Sequence, residues 1–187
     1  MAQSWRVTFR RPPSTRPPLD SDGLERLALA YVSRFATSRA RLRDYLCRKL
    51  DERGWAGREG ENGAEAAATL VERFAGLGYV DDRALAEARA RSLARKGYGA
   101  RRLAGALTAL GIAGEDAETA RRQAEDGAWE AALRFAERRH IGPFAPSVPD
   151  EAARRRAFAA MMRAGHSFDC TKRILESAPG DVPTWDD

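Results

Sequence analysis

Four groups of residues in this 187-residue chain are of types that could do chemistry. His166 and Cys170 stand four apart, a spacing at which an imidazole and a thiolate on one helix can hold zinc. Gly165 places a turn beside His166, however, and further ligands would have to come from His140 or Cys47, so no metal site is expected. Asp81 and Asp82 are adjacent; at a helix start their side chains diverge by about 100°, which suits capping of free N–H groups and not a shared proton or metal. Gly76-Leu77-Gly78 runs into Tyr79-Val80-Asp81-Asp82, where a phosphate loop would need Lys followed by Ser or Thr. No Ser or Cys has a base evident in the sequence. The expectation is a protein that acts by binding, with no catalytic residues, no cofactor and no metal.

The fourth group is the arginines. The chain holds 32 Lys plus Arg against 27 Asp plus Glu, a net of +5. The charge is uneven. Residues 1–20 carry Arg6, Arg10, Arg11 and Arg16 against Asp20, and the stretch from Pro179 carries Asp181, Asp186 and Asp187, so the two ends cancel. The surplus lies between them, in two blocks. From Arg83 to Arg102 there are seven bases and one acid, Glu87; from Arg34 to Lys49 there are six bases and one acid, Asp44. Arg91, Arg95 and Arg102 share one side if the helices run on smoothly, as do Arg39 with Arg43 and Arg41 with Arg48. Guanidinium groups pair with phosphates or carboxylates through forked hydrogen bonds, so the blocks admit DNA or an acidic protein surface as partner. Only Tyr98 interrupts the denser block, which argues against base stacking as the main mode. The candidate binding residues are Arg89, Arg91, Arg95, Lys96, Arg101 and Arg102, with Arg39 and Arg43.

These side chains must be positioned by helices. Apolar content is 43%, aromatics are 8%, and alanine runs such as Ala64 to Ala68 suit close helix-on-helix packing, which argues against a large β-rich enzyme. No apolar stretch is long enough to span a membrane and no secretory core opens the chain, so a cytoplasmic protein without membrane contact is expected. Cys47 and Cys170 are far apart and read as small, buried or half-buried thiols.

Residues 1–20, with Pro12, Pro13, Pro17 and Pro18, read as a disordered basic arm, although Trp5 to Phe9 alternates like a strand. Leu24, Leu27, Tyr31 and Phe35 then share a helix face, with an end near Thr37 and a cap for the next helix at Ser38. Leu42, Tyr45, Leu46 and Leu50 form the second stripe, closed by Gly54-Trp55. Leu70, Phe74 and Leu77 form the third. Further helices are expected from Asp81 or Asp82 to about Lys96, through Leu103, Leu107 and Leu110 to Gly111, and from Glu115 to about Asp126. The last set runs from Trp129, Leu133 and Ala136 to Gly142-Pro143, from Asp150 through Phe158, Met161 and Met162 to Gly165, and from Ser167 or Asp169 through Ile174 and Leu175.

The middle helices repeat one pattern. Leu46-xxx-Leu50-xxx-Gly54-Trp55, Leu103-xxx-Leu107-xxx-Gly111-Ile112 and Ala157-xxx-Met161-xxx-Gly165-His166 each place two apolar residues, a glycine and a bulky residue at the same offsets. The fold class expected is all-α, an elongated array of three tandem three-helix repeats that share cores with their neighbours. The divisions are 1–20 for the arm, 21–81, 82–126 and 127–178 for the repeats, and 179–187 for an acidic tail.

The central motif carries a resemblance. Gly78-Tyr79-Val80-Asp81-Asp82, followed by Arg95-Lys96-Gly97-Tyr98-Gly99-x-x-Arg102-Leu103 and Leu107-x-x-x-Gly111-Ile112, resembles the signature of the RecX family, regulatory proteins of the RecA recombinase. Ser38-x-x-x-Leu42-x-x-x-Leu46 is similar to the family's first repeat. The resemblance implies an all-helical repeat protein without a catalytic site. It further implies binding in the groove of the RecA filament on DNA, usually with inhibition of strand exchange, ATP hydrolysis and coprotease activity, in DNA repair, recombination and the SOS response. RecA filaments are then the expected partner, with DNA contacted directly or through the filament, and a monomer is expected. The alternative is a stand-alone nucleic-acid-binding helical repeat protein whose basic stripe coats DNA.

Overall fold

A computed structural model of the chain describes residues 16–57 and 60–185. The strand-like stretch from Trp5 to Phe9, most of the basic arm, and Asp186 and Asp187 lie outside the described residues. Within them the chain forms nine α-helices and no sheet: α1 Ser21–Val32, α2 Arg39–Arg53, α3 Gly63–Gly76, α4 Asp82–Arg95, α5 Ala100–Leu110, α6 Glu115–Asp126, α7 Ala128–Arg139, α8 Glu151–Ala164 and α9 Phe168–Glu176. One 3-10 turn, Gly142–Phe144, joins α7 to α8.

Short polar side chains start most of these helices by accepting from their free N–H groups. Asp20 accepts from Gly23, Asn62 from Ala64, Asp81 from Ala84, Asp150 from Ala153 and Ser167 from Cys170, at 2.6 to 3.1 Å. The repeated glycines end the middle helices. Gly54, Gly111 and Gly165 all have positive φ, at 82°, 68° and 93°. Behind two of them the next N–H reaches back one turn further, Ile112 to the Leu107 carbonyl and His166 to that of Met161. That pairing satisfies end-of-helix carbonyls and turns the bulky residue inward, which is what the glycine-bulky pattern encodes. Ile112 and His166 are accordingly 2% exposed each.

The chain divides into two compact units. Among the described residues, the first holds Arg16 to Phe35 together with those of Arg41–Tyr79. Its buried apolar residues are Leu19, Leu24, Ala28, Leu42, Leu46, Leu50, Ala67, Leu70, Val71 and Phe74. Leu19 corrects the expected arm: its N–H donates to the Gly54 carbonyl and its own carbonyl accepts from Ala56, so the last residues of 1–20 are held in place. The Arg53 guanidinium reinforces this by donating to the Pro17 carbonyl. Two residues expected in the core are exposed. Helix α1 stops at Val32, before Phe35 can complete the stripe, and Leu77 is the residue after α3, where the helical phase no longer applies.

Among the described residues, the second unit comprises Ala36–Ala40 and the chain from Val80 to Trp185. One core is built by Ala86, Ala90, Leu93, Leu103, Leu107, Ile112, Ala117 and Ala120, from α4, α5 and α6. A second is built by Ala132, Phe135, Ala136, Ile141, Met161, Ala164, Cys170 and Ile174, from α7, α8 and α9. The alanine-rich faces allow helices to approach closely, α4 and α6 above all. Tyr98 packs against both cores. Helix α7 ends at Arg139 rather than at Gly142, because His140 itself takes the left-handed conformation at φ 52°. Beyond α9 the chain folds back: Gly180 donates to the Pro143 carbonyl, and the Trp185 ring lies 5.1 Å from that of Trp129.

Candidate functional site

The joint between α4 and α5 is the central motif seen from inside. Gly97 has φ 71°, and a Cβ there would meet the Phe135 backbone N at 2.8 Å. A Cβ on Gly99 would collide with the carbonyl of Gly165, and one on Gly165 with the backbone N of Arg102. The absence of side chains lets two backbones touch: the Gly99 N–H donates to the Ala164 carbonyl at 3.0 Å and that of Arg101 to Gly165 at 3.2 Å. The start of α5 is thereby tied to the end of α8. Tyr98 packs beside this joint, its ring 6.3 Å from that of Phe135, with the Arg102 guanidinium over the Tyr98 ring at 5.4 Å.

This joint shapes a cavity of about 510 Å³ lined by Arg89, Arg101, Arg102, Gly105, Ala106, Met162, Arg163 and Gly165. The four arginines come from α4, α5 and α8, all are exposed, and none is paired with a carboxylate among the described residues. Other arginines do have acidic neighbours: Arg73 pairs with Glu25, Arg91 with Glu87, Arg122 with Glu118 and Arg155 with Glu151. The lining contains no acid at all.

Of the sequence candidates, Arg89, Arg101 and Arg102 are therefore brought together, and Arg163 joins them without having been singled out. The expected smooth stripe of Arg91, Arg95 and Arg102 does not form, because α4 ends at Arg95 and α5 starts afresh after the glycines. Arg91 faces Glu87 at 3.5 Å. Arg95 and Lys96 lie exposed at the end of α4, whose last carbonyls accept from elsewhere: Arg134 donates to that of Ala94 at 2.7 Å and Arg138 to that of Lys96 at 3.0 Å. Arg43 is exposed on α2 in the first unit. Arg39 has a structural task. Its guanidinium lies 3.5 Å from Asp116 and its backbone N–H donates to Asp82.

Asp82 thus serves a helix other than its own. Asp81 caps α4, while Asp82, 6% exposed, accepts from Arg39 at the start of α2. Burial raises its carboxyl above the usual range, and the Arg39 N–H and guanidinium pull the other way. Ser38 is buried beside it and donates to the Leu110 carbonyl at 2.5 Å. The remaining motif residues are structural: Gly78 turns at φ 76°, Tyr79 leans on Phe74 at 5.2 Å, and Leu103, Leu107 and Gly111 complete the α5 face.

His166 precedes α9 rather than lying on it, so the four-residue spacing to Cys170 is not a helix-face pair. Its ring lies 5.3 Å from that of Phe135, Nε2 is buried without a hydrogen-bond partner, and burial lowers its pKa to about 4 against the opposing pull of a Gly97 backbone hydrogen bond. Among the described residues no three His, Cys, Asp or Glu side chains are grouped to hold a metal. Cys170 is buried and Cys47 half-buried. No helix among the described residues is long and apolar enough to cross a membrane.

Comparison with known proteins agrees with this architecture. The family model for the second three-helix domain of RecX matches residues 81–120, which cover α4, α5 and half of α6. The chain is 33% identical over 165 residues to the "Regulatory protein RecX" of Myxococcus xanthus (strain DK1622), covering 83% of this chain and 86% of that one. It is 34% identical over 135 residues to the "Regulatory protein RecX" of Agrobacterium fabrum, covering 72% and 71%. The crystal structure of RecX from Lactobacillus salivarius superposes with a TM-score of 0.58 at 18% identity, over 83% of this chain and 94% of that one, which speaks to the helical fold. With its glycine-capped helices, its Gly97-Tyr98-Gly99 joint and these relatives taken together, the chain belongs to the RecX family.

Proposed function

We propose that this RecX-family chain regulates the RecA recombinase as an inhibitor, binding in the groove of the RecA–DNA filament and lowering its strand exchange, ATPase and coprotease activities. It does so without a catalytic site, metal or cofactor of its own. The observation that carries the reading is the row of arginines lacking acidic partners around the cavity between α5 and α8, in a chain whose relatives are named as regulatory proteins. Guanidinium groups that find no carboxylate among the described residues are available to an acidic filament surface or to phosphate. Several modest contacts made by one scaffold then add through effective concentration, so occupation of the groove suffices to regulate.

The test is the DNA-dependent ATPase of the recombinase from the same organism, with and without this chain, over a range of salt. Inhibition that requires assembled filaments supports the reading. No effect on the filaments at any salt sinks it. Affinity for bare DNA with no effect on the recombinase would instead favour a protein that simply coats nucleic acid.

A further inference from the structure

We propose that the cavity between α5 and α8 is a phosphate-binding site, in which Arg89, Arg101, Arg102 and Arg163 take the oxygens of a phosphoryl group, carried on a nucleic-acid strand or free in solution. The inference goes beyond the proposed regulation, because such a site is measurable with no recombinase present.

Three observations converge on phosphate. The first is charge. Four arginines line one cavity of about 510 Å³ with no acidic residue in the lining, although the same helices pair Arg91 with Glu87 and Arg155 with Glu151. Like charges gathered in this way raise the local potential and attract an anion.

The second is direction. Arg89 stands on α4, Arg101 and Arg102 on α5, and Arg163 on α8, so the donors approach from three helices. A carboxylate offers two oxygens in one plane, which one guanidinium fork satisfies, whereas a phosphoryl group offers acceptors around a tetrahedron and can use several forks at once. The cavity is also far larger than a carboxylate needs. Gly105 and Ala106 keep one wall low, and a Cβ built on Gly105 would have nothing within 4 Å, which leaves space for a sugar beside the phosphate.

The third is rigidity. The backbone bonds from Gly99 to Ala164 and from Arg101 to Gly165 fix the α5 arginines relative to Arg163, and Tyr98 supports the Arg102 guanidinium. A site whose supports are set before the ligand arrives loses less entropy on binding.

The experiment uses the full chain, the double variant Arg101→Gln/Arg163→Gln, and Arg155→Gln as a control outside the cavity. All three side chains are exposed, and thermal unfolding verifies that each protein is folded. In one arm a fluorescent single-stranded oligonucleotide is titrated at several salt concentrations. Loss of two phosphate contacts should weaken binding and flatten the log–log salt dependence by about 1.4, at ~0.7 per contact on a single strand. In the other arm inorganic phosphate replaces chloride at constant ionic strength and the unfolding temperature is read. A response in the first arm alone assigns the phosphate of a strand; a rise in unfolding temperature for the wild-type chain but not the double variant assigns a free phosphoryl ligand. Either outcome supports the cavity. A double variant that matches the wild-type chain in both arms overturns it, as does an Arg155→Gln change of equal size, which would make the attraction diffuse. If the wild-type chain leaves recombinase filaments unaffected while the cavity variants still lose phosphate, the regulatory reading fails and this one stands.

Discussion

The backbone N–H of Arg39 donates to Oδ1 of Asp82 at 2.9 Å, across 43 positions of sequence. Two consecutive aspartates thereby start two different helices, Asp81 that of α4 and Asp82 that of α2. The bond lies within the second compact unit, which includes Ala36–Ala40, and Ser38 donates there to the Leu110 carbonyl.

Replacing Asp82 with Ala should therefore destabilise the chain by about 1 kcal/mol, the usual cost of losing a cap. Asp82→Asn retains an acceptor while removing a charge that burial disfavours, and should cost less. The sign with pH follows from the direction of the shift. A carboxyl raised above its unfolded value binds its proton more tightly in the folded state, so its contribution to stability is full below the unfolded pKa and is lost as pH rises through the folded one. Urea unfolding of wild type and Asp82→Asn from pH 7 downward measures this; if Asn proves as damaging as Ala, the acceptor role is refuted.

Gly99 and Gly105 lie six positions apart and should respond oppositely to alanine. At Gly99 the new Cβ meets the Gly165 carbonyl, and the forced separation of α5 from α8 should cost about 1–3 kcal/mol. At Gly105, in the middle of α5 with open space around it, alanine should stabilise by about 0.5–1 kcal/mol. Thermal unfolding of the two variants checks both, and equal effects would mean that the backbone contact at Gly99 has no energetic weight.

His166 should make the chain acid-sensitive. Its folded pKa of about 4 lies below the unfolded value of 6.5, so the stability it contributes is present above 6.5 and is lost as pH falls toward 4. The slope from this group is at most about 1.4 kcal/mol per pH unit. His166→Phe removes the titration while keeping a ring against Phe135. A variant whose unfolding temperature follows pH between 7 and 4 as steeply as the wild type does would show that other groups govern the acid limb.

Reversing charge at Arg89 and Arg101 should raise the concentration needed to inhibit the recombinase about tenfold for each lost contact, taking ~1.5 kcal/mol per charge-assisted hydrogen bond. Unfolding should change little, since both side chains are exposed. Leu107→Ala is the opposite case, costing about 2–5 kcal/mol through a cavity in the core and affecting inhibition only through loss of folded protein. Inhibition that survives both charge reversals would reduce these arginines to a solvated surface.

Much of the architecture was legible because it is local. Stripes such as Leu103 and Leu107, and the glycines at 54, 111 and 165, are read from neighbours a turn away, and the family motif marks the joint at Gly97-Tyr98-Gly99. What escaped is set by distance along the chain. Asp82 reads as a cap for its own helix until Arg39 is seen beside it. Arg163 stands in an ordinary charged helix, and only the contact of Gly165 with α5 carries it to Arg101 and Arg102. The stripe expected through Arg91 and Arg102 failed for a related reason, since the glycines that make the joint possible also reset the direction of the chain. Phe35 was misplaced because periodicity does not report where a helix stops.

Tyr98 has a consequence for how the second unit comes apart. In a chain of repeats, stability is approximately the sum of what each repeat has alone and what it gains from its neighbour. Tyr98 supplies apolar contact to both cores, and the Gly99 and Arg101 bonds to Ala164 and Gly165 follow it in the chain, so much of the neighbour contribution gathers around the Gly97-Tyr98-Gly99 joint, where Arg134 and Arg138 also donate to the end of α4. Helices α4 to α6 and α7 to α9 are then coupled into one cooperative block. Amide hydrogen exchange in the core helices α5 and α8 should proceed with a common opening free energy, and truncation of the Tyr98 ring should split that single opening into two.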